Sequence, residues 1–317
     1  KALERASTFS WADAAANLIS VLKKEVAAQG SKRKQFYGDP IRKCVNACRD
    51  YVGAFDGHEL SALARMLDES FFVNGKSSIY LDVSTVIDQD DRSGIQRVTR
   101  AVSLEMLSRP PEKFDVNVVY SSVDRDEFYV ANSYKRSGLG LAAPLHDDYV
   151  AFKPGDILIF LDLAPRMAIN HDDYIQYLRD IGVRVYFVVH DLIPLEHPEW
   201  FSTGGVEEFR ELMETVVKAS GAICVSRATA EALKAYAEPR LTERSDPFYI
   251  GFAHLGSNYD CSAPTLGLSI DADRVLAEVA AKPSFLMIGT IEPRKGHKQA
   301  LAAFDSIWST DVDANLV

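Results

Sequence analysis

The sequence predicts an α/β fold built on a doubly wound, mostly parallel sheet. Two observations carry this. From residue 78 onward, short and nearly all-apolar runs recur, as strands covered on both faces must be. Between them lie stretches with apolar residues at helical spacing, giving the strand, loop, helix alternation of a parallel sheet. The composition agrees: 47% apolar and 25% charged residues over 317 residues bury a sizeable core and suit two domains. No apolar run approaches the roughly eighteen residues of a membrane-spanning helix.

The strands expected are Ile79–Val83, Val116–Tyr120, Asp156–Leu161, Val183–Val189, Ala222–Val225, Tyr249–Leu255 and Ser284–Ile288. The helices expected between them cover 94–108, 168–180, 205–219, 227–237 and 297–308. A polar, Tyr-containing insertion at 121–155 interrupts the alternation. It ends in the turn Lys153-Pro154-Gly155-Asp156. Ahead of the sheet, residues 9–26 read as a helix. Ser10 caps it, with Asp13 completing a capping box, and Trp11, Ala14, Ala15, Leu18, Leu22 and Val26 share one face. Two further amphipathic stretches, 41–55 and 58–71, precede the turn Asn74-Gly75-Lys76. The joint Ala280-Ala281-Lys282-Pro283 separates the last strand–helix series from those before it.

Net charge is −10, with 35 basic and 45 acidic residues, which argues against a nucleic-acid partner. Residues 1–50 alone carry a net +5, including Lys32-Arg33-Lys34, against −15 for the remainder. That basic stretch reads as a solvated linker, or as a contact with an anionic membrane surface or a neighbouring domain. Four cysteines (Cys44, Cys48, Cys224, Cys261) fit free thiols. Cys44 and Cys48 lack the second pair that a zinc site needs and read as buried helix residues.

Ligands of open parallel sheets bind beyond the carboxyl ends of the strands. The first strand ends in Leu81-Asp82-Val83-Ser84. Its loop, with Asp88 and Asp90, leads through Ser93-Gly94 to a helix N-terminus. A glycine there lets backbone approach a ligand, although one glycine is a weak signal. The two aspartates resemble a metal motif, but a solvated acidic loop is the plainer reading. The fourth strand ends in Val189-His190-Asp191. His190 is placed to hydrogen-bond a ligand, and Asp191 to fix its tautomer or receive a sugar hydroxyl. A histidine satisfied by backbone groups is the other reading. His197 and His254 are weaker candidates. The seventh strand ends in Met287-Ile288-Gly289, and Arg294 and Lys295 follow at a helix N-terminus. Cations there oppose the helix dipole, so they point to a bound phosphate; the alternative is two solvated side chains. The G-x-G-x-x-G fingerprint is absent, which disfavours a nucleotide-dependent oxidoreductase.

Taken together, Leu81-Asp82-Val83-Ser84, Ser93-Gly94-Ile95-Gln96-Arg97-Val98, His190-Asp191-Leu192-Ile193-Pro194 and the run from Gly289 to His297 resemble the retaining glycosyltransferases of family four, of GT-B architecture. The similarity is greatest to mannosyltransferase-type enzymes of bacterial O-antigen, lipopolysaccharide and related polysaccharide synthesis. It covers about residues 78–317. Thr290 stands where many members carry Arg.

The resemblance implies an acceptor-side Rossmann-like domain at 78–282 and the start of a donor-binding domain at 283–317. It implies that His190 contacts the transferred sugar as the catalytic residue and that Arg294 and Lys295 hold the donor diphosphate. Gly94 would lie near that diphosphate or the acceptor, and Asp191 near the acceptor or sugar. The expected substrates are a nucleotide-sugar, GDP-mannose above all, and a glycan acceptor, lipid-linked in such pathways. No metal or other cofactor is expected. The setting is cytoplasmic, with peripheral contact at the inner face of the bacterial membrane or with a partner protein.

Residues 5–13 resemble the element before the closing helix of another such enzyme. Residues 1–30 then end one glycosyltransferase and 31–77 link it to a second, so the chain reads as part of a tandem enzyme, inactive alone. A non-catalytic sugar-binding or scaffold module is the alternative function.

Overall fold

The computed structural model describes residues 10–28, 76–90, 93–121, 127–162, 172–242, 244, 246–257, 269–310 and 312–317. The stretches 41–55 and 58–71, the basic run at 32–34, Cys44, Cys48 and Cys261 lie outside the described residues. Two compact units are formed. One comprises 1–192 with 207–262, and the other 193–206 with 263–317.

The first unit is built on a seven-stranded sheet. In chain order its strands are β1 (Ser77–Asp82), β2 (Phe114–Tyr120), β3 (Tyr129–Val130), β4 (Ile157–Phe160), β5 (Arg184–Val189), β6 (Gly221–Cys224) and β7 (Tyr249–Phe252). Their spatial order is β3-β2-β1-β4-β5-β6-β7, and all pairs but β2–β3 are parallel. This is a Rossmann-like arrangement. Chain order reverses between β1 and β4, which makes that gap the topological switch point. The sequence-derived strands match these to within a few residues at each end.

Six helices are named here by residue range. They are α1 (Trp11–Ala28), α2 (Ser84–Asp88), α3 (Gly94–Ser108), α4 (Asn132–Ser137), α5 (Asp172–Asp180) and α6 (Ile193–Glu196). Beyond them come α7 (Thr203–Lys218) and α8 (Arg227–Ala237). The expected bounds of α3 and α8 agree residue for residue. Alternate strand residues serve opposite faces. Ile79, Leu81, Val118, Ile159 and Val188 join the cluster that also contains α1 and α3. Phe160 and Phe187, pointing the other way, stack with ring centroids 4.5 Å apart.

Helix α1 forms as its sequence dictates. The Asp13 amide donates to Ser10 Oγ at 3.0 Å, and Ser10 Oγ donates to Asp13 Oδ2 at 2.6 Å. Trp11, Ala14, Ala15, Leu18 and Leu22 are all buried. The sequence shows the apolar stripe of this helix but not what it covers. In the structure the face packs on α3 and β7. Glycines allow so close an approach. A Cβ on Gly256 would lie 2.4 Å from the Trp11 backbone nitrogen, and one on Gly251 would lie 2.5 Å from Val21 Cγ1.

In the second unit, α9 (Ala272–Ala280) leads to β8 (Ser284–Phe285), α10 (His297–Trp308) and β9 (Asn315–Leu316). The two strands pair in parallel as a sheet of their own. The expected strand Ser284–Ile288 is therefore shorter than its apolar run. Beyond β8 the Met287 N–H still donates to the Val317 carbonyl at 2.8 Å. Phe304 is buried between Phe285 and Trp308, with ring centroids at 5.2 and 5.4 Å.

If α1 is part of the first unit's core, Trp11→Ala lowers stability by about 3–5 kcal/mol. Gly256→Ala, which forces backbone apart, costs about 1–3 kcal/mol. Denaturant melts of both variants check this. A midpoint unchanged in both would show that the helix adds nothing to the fold.

Candidate functional site

Within the first unit, the carboxyl ends of the strands collect the polar groups that the sheet interior excludes. Asp82 closes β1 at 0% exposure. Its Oδ1 accepts from the Ser84 hydroxyl at 2.5 Å and from the Ser84 amide at 3.4 Å. Ser84 Oγ in turn accepts from the Ser121 amide at 2.9 Å, tying the ends of β1 and β2 together. Asp82 Oδ2 is buried with no hydrogen-bond partner among the described residues. On the neighbouring strand Phe160 stands opposite Asp82, and Asp162, 5% exposed, follows two residues later. Two buried carboxyl groups thus flank the switch point. Burial, together with the like charge of Asp162 and against the two Ser84 hydrogen bonds, pushes the Asp82 carboxyl up to about 7.

His190 follows β5 on the same edge of the sheet. Its Nε2 lies 3.2 Å from the Leu161 carbonyl oxygen. A carbonyl only accepts, so Nε2 carries the proton and Nδ1 presents a lone pair. Burial lowers the imidazole pKa, and the Leu161 contact and the Asp191 charge only partly offset this. The ring is therefore neutral at pH 7 and able to accept one hydrogen bond. The Nε2 contact is the backbone-satisfied reading; a ligand on Nδ1 is a matter for the functional proposal. The Thr229 hydroxyl donates to the His190 carbonyl at 3.3 Å, which anchors the backbone here. Asp191 adjoins the ring in sequence and favours its charged form.

Gly94 opens α3 immediately after the cap Ser93. The capping box is complete: the Gln96 amide donates to Ser93 Oγ and the Ser93 amide to Gln96 Oε1, both at 3.2 Å. Gln96 Nε2 also donates to the Gln89 carbonyl at 2.6 Å, which fixes the loop after β1. A Cβ at Gly94 would meet nothing within 4 Å. The glycine is thus not demanded by internal packing, and it leaves the helix N-terminus open to a group from outside. Asp90 forms an ion pair with Arg100 at 2.5 Å.

In the second unit, Gly289 leads to a 3-10 turn, Pro293–Lys295, and Gly296 in the left-handed conformation (φ 75°) joins it to α10. The turn is braced by His297, whose Nε2 lies 3.0 Å from the Thr290 carbonyl. Arg294 Nε donates to Glu292 Oε2 at 2.5 Å, so one of the two cations has an internal counter-ion. Lys295 is exposed, and its stem passes within 3.7 Å of where a Gly289 Cβ would stand. The remaining histidines are occupied differently. His197 stacks on Trp200 at 4.2 Å and its Nδ1 meets Glu199, while His254 lies edge-on to Phe252. Burial pushes the Cys224 thiol up to about 12, so it is inert. Among the described residues, no group of three or more His, Cys, Asp or Glu side chains is arranged to hold a metal, and no helix is long and apolar enough to cross a membrane.

The sequence reading did not assign roles to Asp82 and Asp162. The available signal was weak: Asp82 ends β1, and Asp162 follows the apolar run Ile157–Leu161.

Over 99% of its length the chain is 31% identical to "Serotype-specific mannosyltransferase WbdA" of Escherichia coli. Another Escherichia coli protein of that name is 36% identical over 241 residues, 75% of the chain. The chain spans 38% of the first and 29% of the second. No protein-family profile and no solved structure matches it.

The raised Asp82 pKa sets a pH dependence. Below about pH 4 the carboxyl is protonated both folded and unfolded. Between that point and about 7 only the unfolded chain releases the proton, so stability falls as pH rises, by up to about 4 kcal/mol. Asp82→Asn keeps the Oδ1 acceptor and removes the ionisation. Its melting temperature, relative to wild type, should rise between pH 5 and pH 8. Parallel pH profiles for the two proteins would refute an ionisable Asp82 of raised pKa.

Proposed function

We propose that the chain, a relative of WbdA mannosyltransferases over nearly its whole length, is part of a retaining glycosyltransferase. It would move mannose from GDP-mannose to a growing, lipid-linked glycan. The observation that carries this reading is the neutral His190 at the carboxyl edge of a Rossmann-like sheet, in a chain aligned end to end with mannosyltransferases. In this reading His190 Nδ1 accepts from a hydroxyl of the transferred sugar, and Asp191 serves the acceptor or the same sugar. The open helix N-terminus at Gly94 approaches the diphosphate or the acceptor.

Arg294 and Lys295 bind the donor diphosphate. The bond from the anomeric carbon to the diphosphate oxygen breaks, its electron pair stays on the diphosphate, and the acceptor hydroxyl forms the new bond and gives up its proton. The two cations stabilise the departing charge, the task a divalent metal performs elsewhere. Lys295 meets that task without an internal competitor, whereas Arg294 must loosen its hold on Glu292 or bind with it.

The same reading divides the chain into a closing helix of a preceding enzyme domain (1–30), a linker (31–77), an acceptor-side domain (78–282) and the start of a donor-binding domain (283–317). The 38% share of the WbdA length supports a longer, tandem working polypeptide, with this portion inactive by itself. That polypeptide would act in the cytoplasm, in peripheral contact with the membrane that carries its acceptor.

Replacing Arg294 or Lys295 with Ala in that polypeptide should lower the initial transfer rate about a hundredfold or more, on the order of 3 kcal/mol per lost donor. Folding should be spared, because a cation at a helix N-terminus opposes the dipole. His190→Ala should also slow transfer. Initial rates with GDP-mannose, set beside thermal melts, decide. Full activity in both cation variants, or activity lost only in step with melting temperature, would make the loop structural. Glycan binding without transfer by the wild type would favour the sugar-binding module.

A further inference from the structure

The insertion at 121–155 remains without a role in this chemistry, yet its described part, 127–155, is held by many hydrogen bonds. The Asn132 side chain donates to the His146 carbonyl at 2.7 Å, the Ser133 amide donates to Asp147 Oδ1 at 2.9 Å, and Arg136 donates to the carbonyls of Pro144 and Leu145. Beside β3 the backbone then pairs once more: Val130 N–H donates to Asp148 O and Val150 N–H to Phe128 O, both at 2.8 Å. A long connection fixed by so many bonds is more often functional than incidental.

What the bonds hold in place is a row of aromatic rings. Tyr129 stands opposite Tyr120, the last residue of β2, so it lies at the carboxyl edge of the sheet, the edge that also bears Asp82 and His190, while Tyr174 and Tyr177 stand on α5. Tyr129 and Tyr149 meet edge to face at 6.2 Å, and Tyr174 and Tyr177 stack at 5.7 Å. The Tyr149 hydroxyl interacts with that of Tyr174, which joins the two pairs. Tyr149 is 55% exposed and Tyr177 54%, so both rings offer surface to a partner.

We propose that these tyrosines form a platform that holds the acceptor glycan by stacking, away from the reacting end. The chemistry selects a sugar chain. Pyranose rings offer flat C–H faces to aromatic rings and hydroxyls to acceptors, and Glu127, which already accepts from the Tyr129 hydroxyl at 3.1 Å, is such an acceptor. Glu127, Asp148 and Asp173 are exposed beside the rings, which disfavours phosphate-rich or otherwise anionic partners. The fixed loop means that little side-chain freedom is lost on binding. The identity of the sugar, mannose, rests on the functional reading above; the platform itself rests on the rings.

The test titrates the 317-residue chain with linear α-linked mannotetraose and with mannose, using saturation-transfer NMR and tyrosine fluorescence. The tetrasaccharide should bind measurably better than the monosaccharide and be insensitive to salt. Tyr149→Ala and Tyr177→Ala should each weaken it by about tenfold at unchanged melting temperature, and Tyr149→Trp should retain it. Three outcomes overturn the proposal: no tetrasaccharide binding by wild type, wild-type binding by the double Ala variant, or capture of a lysine-rich peptide in place of the sugar. Such a failure would leave the Arg294 and Lys295 rates untouched. Equally, full activity in those variants would leave oligosaccharide binding as it stands.

Discussion

The constraint on which the first unit depends is that its central strands are covered on both faces. β4 and β6 expose nothing to solvent, and β5 little more. A polar side chain placed within them would lose its hydration without gaining a partner, at a cost of several kcal/mol. Polar groups are therefore displaced to the strand ends. At the carboxyl ends, the backbone leaves the sheet and chain order reverses between β1 and β4, the position where open parallel sheets bind ligands. Asp82, Asp162, His190 and the N-terminus of α3 all occupy that edge for one physical reason, before any reaction is considered.

The same constraint explains why these groups are tuned. Asp82 keeps its proton to about neutral pH because its surroundings are apolar and a second carboxylate is near. His190 loses its proton for the matching reason. Burial thus favours the neutral form of both the acid and the base. On the proposed reading, neutral donors and acceptors serve sugar hydroxyls, whereas the departing diphosphate needs charge, which Arg294 and Lys295, presented by a 3-10 turn and a left-handed glycine, would supply.

Much of this was legible in the sequence. Continuous apolar runs such as Ile157–Phe160 declare buried parallel strands, and the helices 94–108, 227–237 and 297–308 were readable from their caps and periodicity. The position of His190 followed from its place after such a run. What the sequence withheld depends on neighbours distant along the chain. Asp82 is unremarkable until β4 brings Asp162 beside it. Arg294 reads as a free cation until the turn folds it onto Glu292, only two residues away. The packing surface of α1 was visible as a stripe, but the pattern of one helix carries no record of what it covers. The matching signal sat in Gly251 and Gly256, whose missing side chains make room.

On the proposed reading, the aromatic row bears on how a polymer acceptor is handled. A catalytic crevice that recognises only the reacting sugar releases its product after each addition. A second contact on the same rigid unit raises the local concentration of the acceptor end, because rebinding becomes intramolecular. That effect requires the second contact to be weak per sugar, so that the chain can advance. Exposed tyrosines, each worth about 1 kcal/mol to a stacked partner, meet that requirement better than buried charge would. It also requires a fixed distance from the crevice. The hydrogen bonds from α4 to residues 144–147 and the ladder contacts at 148–150 set that distance through the sheet itself.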